Sequence, residues 1–234
     1  MFQSGLLSFR EVLEAVLVIG IMLTYLSQNN KKNLSKFVYL GGILGLVVSL
    51  IGGFIGFSEA KELEDGSEAI FEGIMMLVAS GLIAYFVVWM SNQNKNISSG
   101  IKSSVDKNST GFGLFILAFL SVFREGIELV AFILSKLSES ASDVALGTGI
   151  GLVLAISVGY IIFKTSVKLN LKIVFKILGL VLIFIGAELF GESLVKLIPL
   201  ANESLEEIAA ILFGGISLLY FLKSDISKYI KKNN

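Results

Sequence analysis

The chain has 234 residues, 54% hydrophobic and 16% charged, with 19 basic and 19 acidic side chains, a mean hydropathy of +0.82, one Pro, no His and no Cys. That composition excludes a soluble globular domain. Apolar runs recur about every 30 residues, each near the ~20 needed to cross the hydrocarbon layer as a helix, and they lack the alternation of barrel strands. Seven spans are expected in an all-α, polytopic membrane protein, as a single transmembrane domain over residues 1–234 with no second, soluble domain. Without thiol or imidazole, the chain itself cannot build a haem, iron–sulfur, thiolate-zinc or His-relay centre, so only oxygen ligands remain.

The predicted spans are 4–27, 37–58, 70–91, 112–136, 143–164, 173–194 and 205–222, all helical. No Lys or Arg precedes the first span, and Arg10, Glu11 and Glu14 interrupt it early, so it is expected to stay in place rather than act as a cleaved signal. The second span carries Gly41, Gly45 and Ser49, then Gly52, Gly56 and Ala60, and the fifth carries Gly147, Gly151, Ala155 and Gly159. These small residues at helical spacing read as packing faces. They suit contacts within one chain or between chains equally well, which leaves a homo-oligomer open. No Gly-rich phosphate loop is present, and no nucleic-acid partner is expected.

Sorting the connections by side puts fourteen Lys, Lys95 and Lys168 among them, against Lys61, Lys136 and Lys196 on the other. Basic residues in short loops stay cytoplasmic, so the N-terminus is expected outside and the C-terminus inside. Ten acids, including Glu64 and Asp65, fall on the outer side and only Asp106 and Asp225 on the inner. An acidic outer face would concentrate a cation. It is equally the composition of ordinary solvated loops.

The other seven acids, Glu11, Glu14, Glu72, Glu125, Glu128, Glu188 and Glu192, fall within or at the edges of spans. Each ionisable group near the bilayer centre costs at least about 2.5 kcal/mol and needs a partner, a proton or an ion. The two Arg of the chain, Arg10 and Arg124, stand beside four of them in Arg10-Glu11-Val12-Leu13-Glu14 and Arg124-Glu125-Gly126-Ile127-Glu128. This is one pattern, R-E-x-x-E, written twice. On a helix it sets two carboxylates side by side and brings Arg within ion-pair reach of the second Glu at i+4.

The copies are 114 residues and three spans apart, which suggests an internal repeat of spans one to three (about 4–91) and four to six (about 112–194), with an extra helix at about 205–222. An odd span count inverts one unit against the other, and inverted repeats place their site near the midplane. Glu11 and Glu14 sit seven to ten residues into their span, about 10–15 Å deep at 1.5 Å per residue. Glu72 and Glu188 extend the parallel at 116 residues, with a register that is less well matched. Glu192, near an outer end, reads as a rim residue.

Four motif carboxylates against two guanidinium groups leave a formal charge of −2, or −4 with Glu72 and Glu188, which suits a multivalent cation. Carboxylates favour hard ions such as Mg, Ca, Mn and Fe(III), whereas Cu(I) would ask for sulfur. Met75 and Met76 are the nearest soft candidates and read as filler. The bland alternative is a buried ion-pair network holding spans one and four together, against which the two surplus carboxylates argue. An intramembrane metallo-endopeptidase would need His ligands. A membrane scaffold would gain no stability from metal.

Paired R-E-x-x-E motifs in the first and fourth of seven spans, Phe71-Glu72-Gly73 opening the third, Trp89-Met90 closing it and Glu188 in the sixth are together similar to the oxidase-dependent iron permeases of fungi and their bacterial homologues. The resemblance covers most of the chain. It implies iron uptake across the cell membrane, expected as Fe(III), with iron as substrate and no permanently bound cofactor. It further implies that iron binds at Glu11, Glu14, Glu125 and Glu128, that Arg10 and Arg124 belong to the motif, and that an extracytoplasmic oxidase or iron-delivery protein supplies the ion. From the residues themselves, iron is expected to meet Glu72 and Glu188 on its way in, with Arg10 and Arg124 orienting the motif carboxylates. Another hard or divalent ion, such as Mn or Pb, on the same scaffold is the alternative. The first motif departs from the family in having Val12 where Gly is usual, and the long hydrophilic tails of fungal members are missing.

Overall fold

The structure, a computed structural model, describes residues 1–63, 65–92, 97–108, 110–164 and 171–232, with the side chains of 65, 89–92, 97–99, 171–175 and 224–232 left aside. Glu64, Lys95 and Lys168 lie outside the described residues, as do the side chains of Asp65, Trp89, Met90 and Asp225. The described chain is helical: α1 (Phe2–Gln28), a 3₁₀ turn (Lys32–Leu34), α2 (Ser35–Lys61), α3 (Asp65–Asn92), α4 (Ile97–Lys107), α5 (Gly111–Leu134), α6 (Ala141–Lys164), α7 (Leu171–Leu197) and α8 (Glu203–Lys232).

The seven long helices fall on the seven expected spans, and α8 runs ten residues past its expected end, through the Lys-rich tail. Five segments are long and apolar enough to cross a membrane, Lys32–Lys61, Gly66–Val88, Ala141–Lys164, Lys176–Leu197 and Glu203–Lys223, which makes this a multi-pass membrane protein. Of the seven expected, α1 and α5 do not qualify by that measure, because each carries an Arg and two Glu in its middle turns. The connection expected after residue 91 contains a helix that sequence reading left out. α4 is 11 residues of mixed polarity, too short to span, and it buries Val105 while Lys102 and Lys107 stay exposed.

Local chemistry sets the ends. The Thr110 hydroxyl accepts the Gly113 N–H at 3.1 Å and starts α5, and the Asn202 side-chain oxygen does the same for Leu205 at 3.1 Å ahead of α8. Pro199 stands just past α7, where the residue before a proline is steered out of helical geometry. Within α2 and α6 the sorting is by size, since both faces are apolar. Gly41, Gly45, Ser49, Gly147, Gly151, Ala155 and Gly159 are buried, while Leu40, Ile43, Phe54, Leu146, Val153 and Leu154 face outward. Small residues inward and large aliphatics outward are what lipid-facing helices require. Gly52 is the exception among the expected ridges, being exposed with no neighbouring atom where a Cβ would stand.

The helices divide into two packed units. The first holds α1, α4, α6, α2 to Glu59 and α5 to Ile133, and the second holds α3, α7, α8 and the segment Leu134–Ser138. In the second unit α7 packs on α3 and α8, with Gly186 against Ile83 and Phe213 and the rings of Phe190 and Phe213 stacked 5.2 Å apart.

The first unit contains two parallel helix pairs, α1 with α6 and α5 with α2, that use one contact pattern. A Cβ on Gly151 would meet the Gly5 carbonyl and the Phe9 amide, and one on Gly45 would meet the Phe119 carbonyl and the Phe123 amide. Gly159 lies on Val16 as Gly53 lies on Val130. The same steps, 114 residues from α1 to α5 and 106 from α2 to α6, relate every one of these contacts. Met22 and Leu26 of α1 pack with Leu114 and Ala118 of α5, Val38 of α2 and Val105 of α4, and the Tyr25 hydroxyl donates to Asp106 on α4 at 2.6 Å.

Candidate metal site

The C-terminal half of α1 meets the N-terminal half of α5, and Arg10, early in α1, reaches Glu128, late in α5. The two helices therefore run antiparallel, and their charged motifs cross. Both copies make the i,i+4 pair that the spacing predicts: Arg10 Nε donates to Glu14 Oε1 at 3.1 Å and Arg124 Nε to Glu128 Oε1 at 3.0 Å. The copies then diverge. Arg10 is 1% exposed, and it also donates through Nη1 to Glu11 and lies 3.8 Å from Glu128 Oε2 across the helix boundary. Arg124 is 52% exposed. One guanidinium is thus the inner counter-charge of three carboxylates, and the other braces Glu128 from the edge.

Glu11, Glu125 and Glu128 each turn a carboxylate oxygen to a common point, all within 4.8 Å of one another. Oxygens around an octahedral metal with bonds near 2.1 Å stand about 3–4 Å apart, so side-chain adjustment of about 1 Å closes the set. Glu14, paired to Arg10, is close enough to Glu128 and Arg124 to feel their charge. The orphaned atoms distinguish this cluster from a saturated ion-pair clamp. Glu11 Oε2 and Glu125 Oε2 are buried and accept no hydrogen bond from an Arg, Lys, hydroxyl or amide donor among the described residues; the two carboxyl groups are close enough to share a proton when no cation is there. Leaving a buried anionic oxygen unpaired costs at least about 1–3 kcal/mol, which a cation at that point would offset.

Arg10, Glu11, Glu14, Arg124, Glu125 and Glu128 are therefore brought together in the first unit. Glu72 and Glu188 belong to the second. Glu72 is buried with both oxygens engaged: one takes the Ser138 N–H at 2.9 Å, and the other takes the Ser138 hydroxyl and the Lys196 ammonium. Glu188 is exposed on α7, and Glu192 is half-buried among the charges of Lys136, Glu188, Glu206 and Lys196.

Lys196 and Ser138 were not singled out from sequence. The signal available was that Lys196 is one of only three lysines on the face from which basic loop residues are depleted. Lys61, another of them, donates to Glu68 at 3.1 Å and to the Leu137 carbonyl at 2.8 Å. Ser4, Ser8 and Thr148, small polar residues at packing positions, gave no such signal.

The Iron permease FTR1 family matches residues 1–217. The ferrous iron permease EfeU of Yersinia pestis is 31% identical over 195 residues, covering 81% of this chain and 69% of that protein. The proteins of the same name from Yersinia pseudotuberculosis and Escherichia coli strain 536 are 31% and 28% identical, over 80% and 81% of this chain and 68% and 71% of their own lengths. No solved structure matches the chain.

Proposed function

The chain belongs to the iron permease FTR1 family, and on that premise we propose that it imports ferrous iron through the carboxylate cluster where α1 and α5 cross. The observation that carries the site is the set of three converging carboxylates with two buried, unpartnered oxygens. In this reading Glu11, Glu125 and Glu128 bind the ion, and Glu14 joins or leaves the set as Arg10 releases or holds it. Arg10 and Arg124 orient the carboxylates and limit their repulsion. Glu72 and Glu188, expected along the path, stand outside the ligand set, since Lys196 and Ser138 already occupy both Glu72 oxygens.

The oxidation state follows from charge together with the relatives' names. Fe(III) is the expectation from sequence, by carboxylate hardness together with the family resemblance, but the relatives are called ferrous iron permeases. Four carboxylates and two guanidinium groups leave −2, which a divalent ion neutralises and a trivalent ion overshoots. A desolvated site favours the neutral sum.

We read all seven long helices as spans, with α1 and α5 tolerated in the membrane because their charges face each other. The repeated contact pattern of α1–α6 and α5–α2 supports an inverted repeat, and the lysine distribution supports an outer N-terminus. The setting would be a cell membrane, with an extracytoplasmic iron-delivery protein as partner; the oxidase expected from sequence would supply Fe(III) and so does not fit Fe(II) import. The test is uptake by the purified protein in liposomes with Fe(II) and Fe(III) supplied separately. Fe(II) uptake is expected, together with its loss in Glu14→Ala and Glu128→Ala at normal yields of folded protein. Full uptake in either variant, or uptake of Fe(III) alone, would sink the proposal.

A further inference from the structure

Two buried hydroxyl groups in the first unit have no hydrogen-bond partner among the described residues. Ser4 is fully buried, and its Oγ makes no hydrogen bond among the described residues; Thr148 Oγ1, on α6, is also buried and unpaired. Ser8, one turn on from Ser4, is fully buried, and its hydroxyl is 3.1 Å from the carbonyls of both Gly5 and Thr148. Ser4, Ser8 and Glu11 stand at i, i+4 and i+7, on one stripe of α1. The stripe ends on Glu11, whose Oε2 is the orphaned oxygen of the metal cluster. Ser4 and Ser8 lie against the α6 backbone at Gly147 and Gly151, and each hydroxyl left unpaired there costs about 1–3 kcal/mol that alanine in the same space would avoid.

The other helix pair supplies the comparison. A step of 114 residues carries Ser4 and Ser8 to Ala118 and Val122, and a step back of 106 carries Thr148 to Gly42, all without polar side-chain atoms. Ala118 is fully buried and packed with Met22, Leu26, Val38, Val105 and Leu114. About the carboxylates, then, one geometry is built twice with opposite chemistry: hydroxyls toward the start of α1, aliphatic side chains toward its end.

We propose that Ser4, Ser8 and Thr148 line the hydrated route by which a metal cation reaches the carboxylates, and that Ala118, Val122 and the apolar cluster beneath α4 form the dry seal on the far side. This deepens the function proposed above and rests on it. Neutral hydroxyl oxygens replace part of a cation's water shell without holding the ion as carboxylates do, which suits a passage leading to a binding site. A packed aliphatic cluster blocks an ion by leaving it without ligands. Passage then requires the seal to open, and α4, held to α1 by Tyr25 and Asp106, is the element lying over it.

The chain has no Cys, so each introduced thiol is unique. In reconstituted protein, a charged, membrane-impermeant thiol reagent applied at the N-terminal side should modify Ser4→Cys and Thr148→Cys. Ala118→Cys and Val122→Cys should react at least about tenfold more slowly, the consequence of a modestly higher barrier at a dry position. Equal rates at all four, or no reaction at Ser4→Cys and Thr148→Cys, would overturn the route. Adding Glu128→Ala separates this from the function itself: the labelling pattern should persist while uptake is lost. Loss of uptake without the pattern refutes the route alone, and the pattern with full uptake refutes the binding site alone. If a thiol prevents folding, the double variant Ser4→Ala/Thr148→Val keeps the size of both residues. It should slow Fe(II) uptake at unchanged Fe(II) affinity, and unaltered uptake would count against the route.

Discussion

Lys196 illustrates why some charges sit on the face where few basic residues are expected. Its ammonium answers a Glu72 carboxylate that is 1% exposed, and Ser138 supplies the remaining hydrogen bonds. Lys61 similarly ties Glu68 to the Leu137 carbonyl, so both lysines bind the segment 134–138 or its neighbours within the second unit. A buried carboxylate stripped of its counter-ion is costly, whereas removing both charges is far cheaper. Lys196→Met is therefore expected to destabilise the protein by about 2–3 kcal/mol, and Lys196→Met with Glu72→Gln should recover most of that. Thermal unfolding of the two variants in detergent checks this, and a double variant no better than the single would show that the pair is not the cause. Arg10 is a different case. It holds three carboxylates yet leaves two carboxylate oxygens of the cluster unpartnered, so it organises the site without saturating it.

The two parallel helix pairs explain the irregular first motif. Where the second copy has Gly126 facing Ser49, the positions related by the same steps in the first are Val12 and the fully buried Ala155. The larger residue changes sides: a bulky motif position is matched by a small partner, and a glycine is matched by a serine that bonds back to the Gly45 carbonyl at 2.8 Å. Gly126→Val is expected to overpack this crossing by about 1–3 kcal/mol. Ser49→Ala, which reproduces the pairing of the other copy, should restore part of the loss. Melting temperatures of the single and double variants report it, and an unchanged protein in Gly126→Val would refute the close approach. The motif spacing, the seven long helices and the small-residue ridges could be read in the sequence, because each depends on the period of a single helix. The α4 helix could not, since its 11 residues owe their place to Val105 packing under α1 and α5, a tertiary contact. For the same reason Ser4, Ser8 and Thr148 carried no signal, since their burial depends on how α1 packs on α6. The Glu72–Lys196 pair was not legible either, since 124 residues separate the two.

For the whole molecule, the chain is a multi-pass membrane protein, and α1 and α5, which each carry an Arg and two Glu, bring those charges together at one crossing. Every other long helix is apolar enough to span without such help. On the function proposed above, a cation completes that cluster, whose buried carboxylates would otherwise be costly in a membrane. The direct measurement is equilibrium binding of Fe(II) to the purified, folded protein. One ion per chain is expected in the parent and in Glu72→Gln, with none in Glu11→Gln, Glu125→Gln or Glu128→Gln. Stoichiometric binding that survives all three of those substitutions, or that is lost only in Glu72→Gln, would contradict the account.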